Sequence, residues 1–168
     1  MLQGDWLAVT SGQALRFFFE RLQDVSDADR PPAGELLYNA SLLAHFASTS
    51  TTSGEGFPPS PTNLRAIFEL FVLDQSGHAD PEIMEAAGSQ CLLLTGFFRD
   101  QVAGRHNVRW YAALGAGFYD QAGRLTTDAT RGRMMRAMSV HFDFWRHQQG
   151  RLARELRDAP RLIPGFNA

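Results

Sequence analysis

Lysine is absent: all sixteen cationic side chains of this 168-residue chain are arginine. That usage reads as the trace of a GC-rich coding sequence rather than as a demand of binding. Against 18 acidic residues it leaves a net charge of -2, which excludes a surface acting throughout as a trap for nucleic acid or anionic membrane. There is a single cysteine, Cys91, so no intramolecular disulfide can form and the framework of a small secreted domain is excluded. No stretch approaches the roughly 18 consecutive apolar residues that a bilayer span needs. The opening Met1-Leu2-Gln3-Gly4-Asp5-Trp6 lacks a basic segment followed by an apolar run. A cytoplasmic location is the expectation. Phosphate-binding glycine loops, the HExxH pair and the GxSxG elbow are all missing, as are internal repeats and period-two strand patterns.

What is present is an ordinary globular balance. With 44% hydrophobic and 20% charged residues the chain can bury a core and does not carry the signature of disorder. Its length fits one domain, residues 1–168. Apolar periodicity and the breakers between periodic runs predict an all-α fold, a bundle of about six helices. The first, 11–25, has Leu15, Phe18, Phe19 and Leu22 on one stripe, and the second, 33–48, has Leu36, Leu37, Ala40, Leu43, Ala44 and Ala47. Residues 49–61 are rich in Ser, Thr, Gly and Pro and predict a flexible loop. A third helix is expected at 63–74, and an extended tail at 159–168.

Asp80-Pro81 opens the fourth helix, 81–103, with a capping residue followed by proline at the first helical position. Ile83, Met84, Ala87, Cys91, Leu94 and Phe98 form one stripe, and Leu92, Leu93 and Phe97 fill the remaining sides. A helix apolar all round is buried by its neighbours, so this one is expected at the centre of the bundle. Gly96 within it, and Gly115 and Gly117 within the fifth helix at 108–121, suggest close backbone crossings. The short connection makes these two helices antiparallel neighbours. The last helix, 131–157, is two-sided: Met134, Met138, His141, Trp145, Leu152 and Leu156, flanked by Met135 and Phe142, on one side, Arg133, Arg136, His147, Arg151 and Arg154 on the other.

The chemistry-bearing residues form no specific motif. A metal or acid-base site would have to be assembled between helices from His45, His141, Glu69, Glu85 and Tyr119. Histidines bordering an apolar stripe are more often satisfied structural groups. Cys91, mid-stripe, should behave as a small hydrophobe with a raised pKa. Trp110, Tyr111, Phe118, Met138 and Trp145 could line an apolar ligand pocket. Arg133, Arg136, Arg151 and Arg154 could bind oxyanions or an acidic partner, although Asp143, Glu155 and Asp158 interrupt that face.

The run Gly88-Ser89-Gln90-Cys91-Leu92-Leu93-Leu94-Thr95-Gly96-Phe97-Phe98, then Trp110-Tyr111 and Gly115-Ala116-Gly117-Phe118-Tyr119, resembles a family of uncharacterised helical bacterial proteins. That family carries Leu-Gly-Asp, Ser-Gly-Phe-Phe, Tyr-Tyr and Gly-x-x-x-Tyr in this order. The resemblance covers residues 88–119, with a weaker match at 36–47. It departs from the pattern at Ser89, where an Asp would stand, and at Trp110, where a Tyr would. It implies a helical fold with a close crossing of the fourth and fifth helices, and no activity.

Together these readings predict a non-enzymatic helical protein that self-associates, binds a protein partner or holds a small apolar ligand, without cofactor or metal. The competing reading is an enzyme with a site between helices. A third, disfavoured by the net charge, is weak nucleic-acid binding through the arginine face, with affinity falling steeply with salt.

Overall fold

The computed structural model describes residues 11–52, 78–104 and 106–159. The expected helix at 63–74, Glu69, most of the 49–61 loop and the tail from 160 lie outside the described residues. What is described is all-α, with no strand among those residues. The helices are α1 (Ser11–Ser26), α2 (Ala33–Thr52), α3 (Pro81–Thr95), α4 (Arg99–Val102), α5 (Val108–Leu125), α6 (Ala129–Val140) and α7 (Phe142–Asp158). None is long and apolar enough to cross a membrane.

The chain divides into two compact units, Met1–Pro59 with Arg151–Ala168, and Ser60–Gly150, so the boundary between Gly150 and Arg151 falls inside α7. In the first unit α1 packs against α2. Ala14, Phe18 and Leu22, spaced by four, are all but sealed from solvent, whereas Leu15 and Phe19 are half-buried. The buried stripe is therefore rotated from the one that the sequence marks. On α2, Leu36, Ala40, Leu43, Ala44 and Ala47 are buried as expected, but Leu37 is exposed. A 3-10 turn, Asp27–Asp29, links the two helices and is closed by Arg30 in the left-handed region at φ 46. α2 continues to Thr52, into the segment expected to be a loop. Ser and Thr cost only a few tenths of a kcal/mol in a helix, and the first strong breaker is Gly54.

In the second unit α5 pairs with α3 on one side and α6 on the other. Local capping sets each start. Asp80 accepts from the backbone N–H of Glu82 and Ile83, Asn107 from Trp110, and Asp128 from Thr130 and Arg131. The second half of α3 is buried on every side, through Cys91, Leu92, Leu93, Leu94 and Thr95.

Two helices are shorter than periodicity predicts. The one expected over 81–103 ends at Thr95, and a turn at 96–98 leads into the single turn of α4. A Cβ on Gly96 would lie 2.7 Å from the Leu92 carbonyl oxygen and 3.0 Å from Cα of Arg146, so the backbone of α7 occupies the space a side chain would need. The helix expected over 131–157 begins earlier, at Ala129, and is interrupted at His141. No glycine or proline marks that interruption. The buried Met135, Met138, Phe142 and Trp145 keep a heptad-like spacing across it, so packing continues through the break. The stripe centres on Met135 rather than on Met134, which is half-buried, and His141 faces solvent.

Candidate functional site

A group of polar and reactive side chains lies where α3 crosses α5. Gly88 stands opposite Tyr119 and Cys91 opposite Gly115, so the two helices run antiparallel, as the short connection requires. A Cβ on Gly88 would come within 3.0 Å of the Tyr119 ring; the bare glycine lets that ring lie flat on the helix backbone. Tyr119 is fully buried, its ring 6.1 Å from that of Phe142, and its hydroxyl lies 2.9 Å from Oγ of the half-buried Ser89. The buried phenol therefore finds a partner on the adjacent helix. Replacing Tyr119 with Phe removes that bond but keeps the ring, and Ser89 can turn to water. The expected loss is about 1 kcal/mol of unfolding free energy, read from the urea midpoint.

Cys91, one turn along from Gly88, is buried against the same crossing, and burial pushes its thiol up to about 12. At neutral pH it is a packed, protonated sulfur. Tyr111 lies near it and has its hydroxyl pKa raised, first by partial burial and second by Cys91.

The opposite end of α3 is tied to α6. Glu85, with 14% of its side chain exposed, accepts from Nε of Arg131 at 3.0 Å and from Nη2 at 2.5 Å, a bidentate pair between helices 46 residues apart in sequence. This carboxylate is thus committed to fastening α6, and its partner Arg131 is itself at the capped start of that helix. Beside α5, the His78 ring meets the Phe118 ring edge-on at 6.1 Å, and Gln121 donates to the His78 carbonyl.

The residues that sequence reasoning marked as a possible catalytic set are placed as follows. Tyr119 and Glu85 both belong to the α3, α5 and α6 cluster, each with the structural partner just described. His141 is exposed at the end of α6, and His45 is exposed on α2 in the other unit. Among the described residues no three His, Cys, Asp or Glu side chains are grouped so as to hold a metal ion.

No protein-family model, curated protein or solved structure matches this chain.

Of the five residues expected to line a ligand pocket, Trp145, Met138 and Phe118 are core residues, with exposures of 0%, 0% and 4%. Tyr111 is half-buried, and Trp110 is 42% exposed. Trp110 stands edge-on to Tyr111 at 4.8 Å, and Tyr111 edge-on to the His106 ring at 6.2 Å. A small aromatic ledge is thus held at the start of α5, fixed by the Asn107 cap. The four arginines expected on one helix face are all exposed but do not share a helix: Arg133 and Arg136 belong to α6, Arg151 and Arg154 to α7 beyond the unit boundary. The aliphatic stem of Arg136 also packs over Gly123, so it covers the α5–α6 crossing.

Sequence reasoning missed Ser89 as the partner of Tyr119, Arg131 as the partner of Glu85, and Val140, which is 78% exposed. The Asp128 cap, visible as Asp before a helical run, was the available signal for where α6 begins. No local signal pairs residues 30 or 46 positions apart.

Proposed function

We propose that this chain is a helical interaction module that recognises another protein surface through the aromatic ledge and the outer side of α5. The observation that carries the reading is Trp110, a large side chain 42% exposed on a rigid, capped helix. Tryptophan presented in this way is the residue type that most often anchors a protein interface. The polar groups nearby support the same reading, because Tyr119, Glu85 and Cys91 serve packing, helix fastening and the core. One cysteine, buried as a thiol, fits a reducing compartment such as the cytoplasm.

The test is Trp110→Ser, at a site where the side chain is not part of the core. Circular dichroism and thermal unfolding should match those of the parent protein. Sedimentation of the purified chain, alone and in extract of the producing cells, should show an assembly that the variant fails to form. Identical sedimentation of parent and variant under both conditions would sink the reading.

A further inference from the structure

The outer face of α5 has the pattern of a surface made to meet a copy of itself. At 100° per residue, Arg109, Trp110, Ala113, Gly117 and Asp120 fall within an arc of about 100°. The first four are exposed and Asp120 is half-exposed. Within the arc the bulky element, Trp110, and the most open element, Gly117, are two turns apart, with Ala113 between them. A Cβ at Gly117 would meet nothing within 4 Å, in contrast to Gly115, so this glycine serves no crossing among the described residues. Its cost to the helix, about 1 kcal/mol relative to Ala, has no return there.

Charge on the arc is also arranged in opposite senses at its two ends. Arg109 stands at the start of α5, with no ion pair among the described residues, and Asp120 stands toward the end, where Arg124 contacts it at 2.9 Å. A two-fold axis passing beside Ala113 brings all of this into register. Trp110 then lies over the partner's Gly117, with the reciprocal contact on the other side of the axis, and Ala113 meets the partner's Ala113 at the closest approach. Arg109 comes within about two residue rises, roughly 3 Å, of the level of the partner's Asp120, a gap that an arginine side chain covers. A parallel arrangement would instead hold Trp110 and the partner's Gly117 at levels roughly 10 Å apart.

The geometry points to an isologous, antiparallel dimer of this chain, seamed along α5 by Trp110 against the partner's Gly117 and by Arg109 against the partner's Asp120. This rests on the interaction reading above and names the partner as a second copy. A seam of one helix per protomer is at the small end of specific interfaces, so the dimer dissociates reversibly on dilution.

Sedimentation equilibrium over a wide concentration range should show a monomer–dimer equilibrium. Gly117→Arg, which meets open space in the protomer and so does not lower the melting temperature of dilute protein, should raise the dissociation constant roughly tenfold or more. Ala113→Cys should form a reducible covalent dimer far faster than Thr127→Cys, an exposed position beyond the end of α5. The pair Arg109→Asp with Asp120→Arg should restore the association that Arg109→Asp weakens. A dimer unaffected by Gly117→Arg would overturn the seam. A chain that stays monomeric at every concentration would overturn the second copy as partner. The interaction reading would survive that result if Trp110→Ser still abolished an assembly formed in extract, and would fall with it otherwise.

Discussion

Alanine placed at Gly115 should lower the unfolding free energy by about 1–3 kcal/mol, and alanine placed at Gly117, two residues later, should raise it by about 0.5–1 kcal/mol. The two glycines look alike in sequence, and both cost helix stability by the same mechanism, since glycine loses more backbone freedom on folding than alanine. They differ in what a methyl group would meet. At Gly115 it would lie 2.6 Å from Cβ of Cys91 and 2.6 Å from Cζ of Phe142. Neither neighbour can yield cheaply. The Cys91 Cβ is fixed to the backbone of α3, and the Phe142 ring, 2% exposed, is enclosed at the break between α6 and α7. The helices must therefore separate by several tenths of an ångström along a crossing that also holds the Gly88–Tyr119 contact, and that loss outweighs the gain in propensity. At Gly117 the methyl enters open space and the propensity gain stands alone. Urea unfolding of dilute protein reads both changes as opposite shifts of the midpoint at unchanged slope. Equal shifts for the two variants would contradict the packing described for α5.

In the native protein Cys91 should resist a thiol reagent at pH 8 and react fully once the chain is unfolded. Its thiol is buried at the α3–α5 crossing and its pKa is pushed up to about 12 by that burial, against an ordinary value near 9. The reactive species is the thiolate, so a rise of this size suppresses it roughly a thousandfold at pH 8, before any steric exclusion. Labelling then reports opening of the crossing, and Gly115→Ala should accelerate it. The same shift predicts the pH dependence of stability. The unfolded chain releases the thiol proton near pH 9 while the folded chain holds it to about 12. The contribution is fully present below pH 9 and is lost as pH rises from about 9 toward 12, where the folded thiol ionises in turn. Cys91→Ala should remove this alkaline dependence while leaving a small cavity. Rapid native-state labelling at pH 8 would show that the crossing is not closed.

Much of the fold is legible along the chain because helix formation is local. Asp80-Pro81 starts α3 where a capping side chain precedes a proline, and Pro31-Pro32 separates α1 from α2. The apolar, all-round second half of α3 reads correctly as buried, since its burial follows from composition and not from a particular neighbour. Periodicity is less secure in phase than in kind. The stripe marked on Leu15, Phe18, Phe19 and Leu22 keeps Phe18 and Leu22 but turns toward Ala14, and on the last stretch Met138, Trp145, Leu152 and Leu156 are buried as marked while Met135 and Phe142 are buried in place of Met134 and His141. Adjacent positions differ by 100° around a helix, and only the placement of the neighbouring helix selects among them.

The candidate site was legible as an inventory and not as an arrangement. Tyr119, Glu85, Cys91 and Trp110 could be named from the sequence, but their roles depend on what crosses them. Ser89 comes to the Tyr119 hydroxyl because Gly88 lets α3 approach α5; Arg131 comes to Glu85 because α6 folds back along α5. By itself the sequence determined that this chain is helical, where most of its helices begin, and that it holds no intramolecular disulfide, because caps, breakers, periodicity and cysteine number act within a few residues or need no geometry at all. Only the tertiary structure decided which glycine is packed and which is open, where α3 and the last helix break, and which tryptophan is core and which is surface. Those outcomes depend on side chains tens of residues apart meeting across a helix crossing, and no local preference encodes that distance.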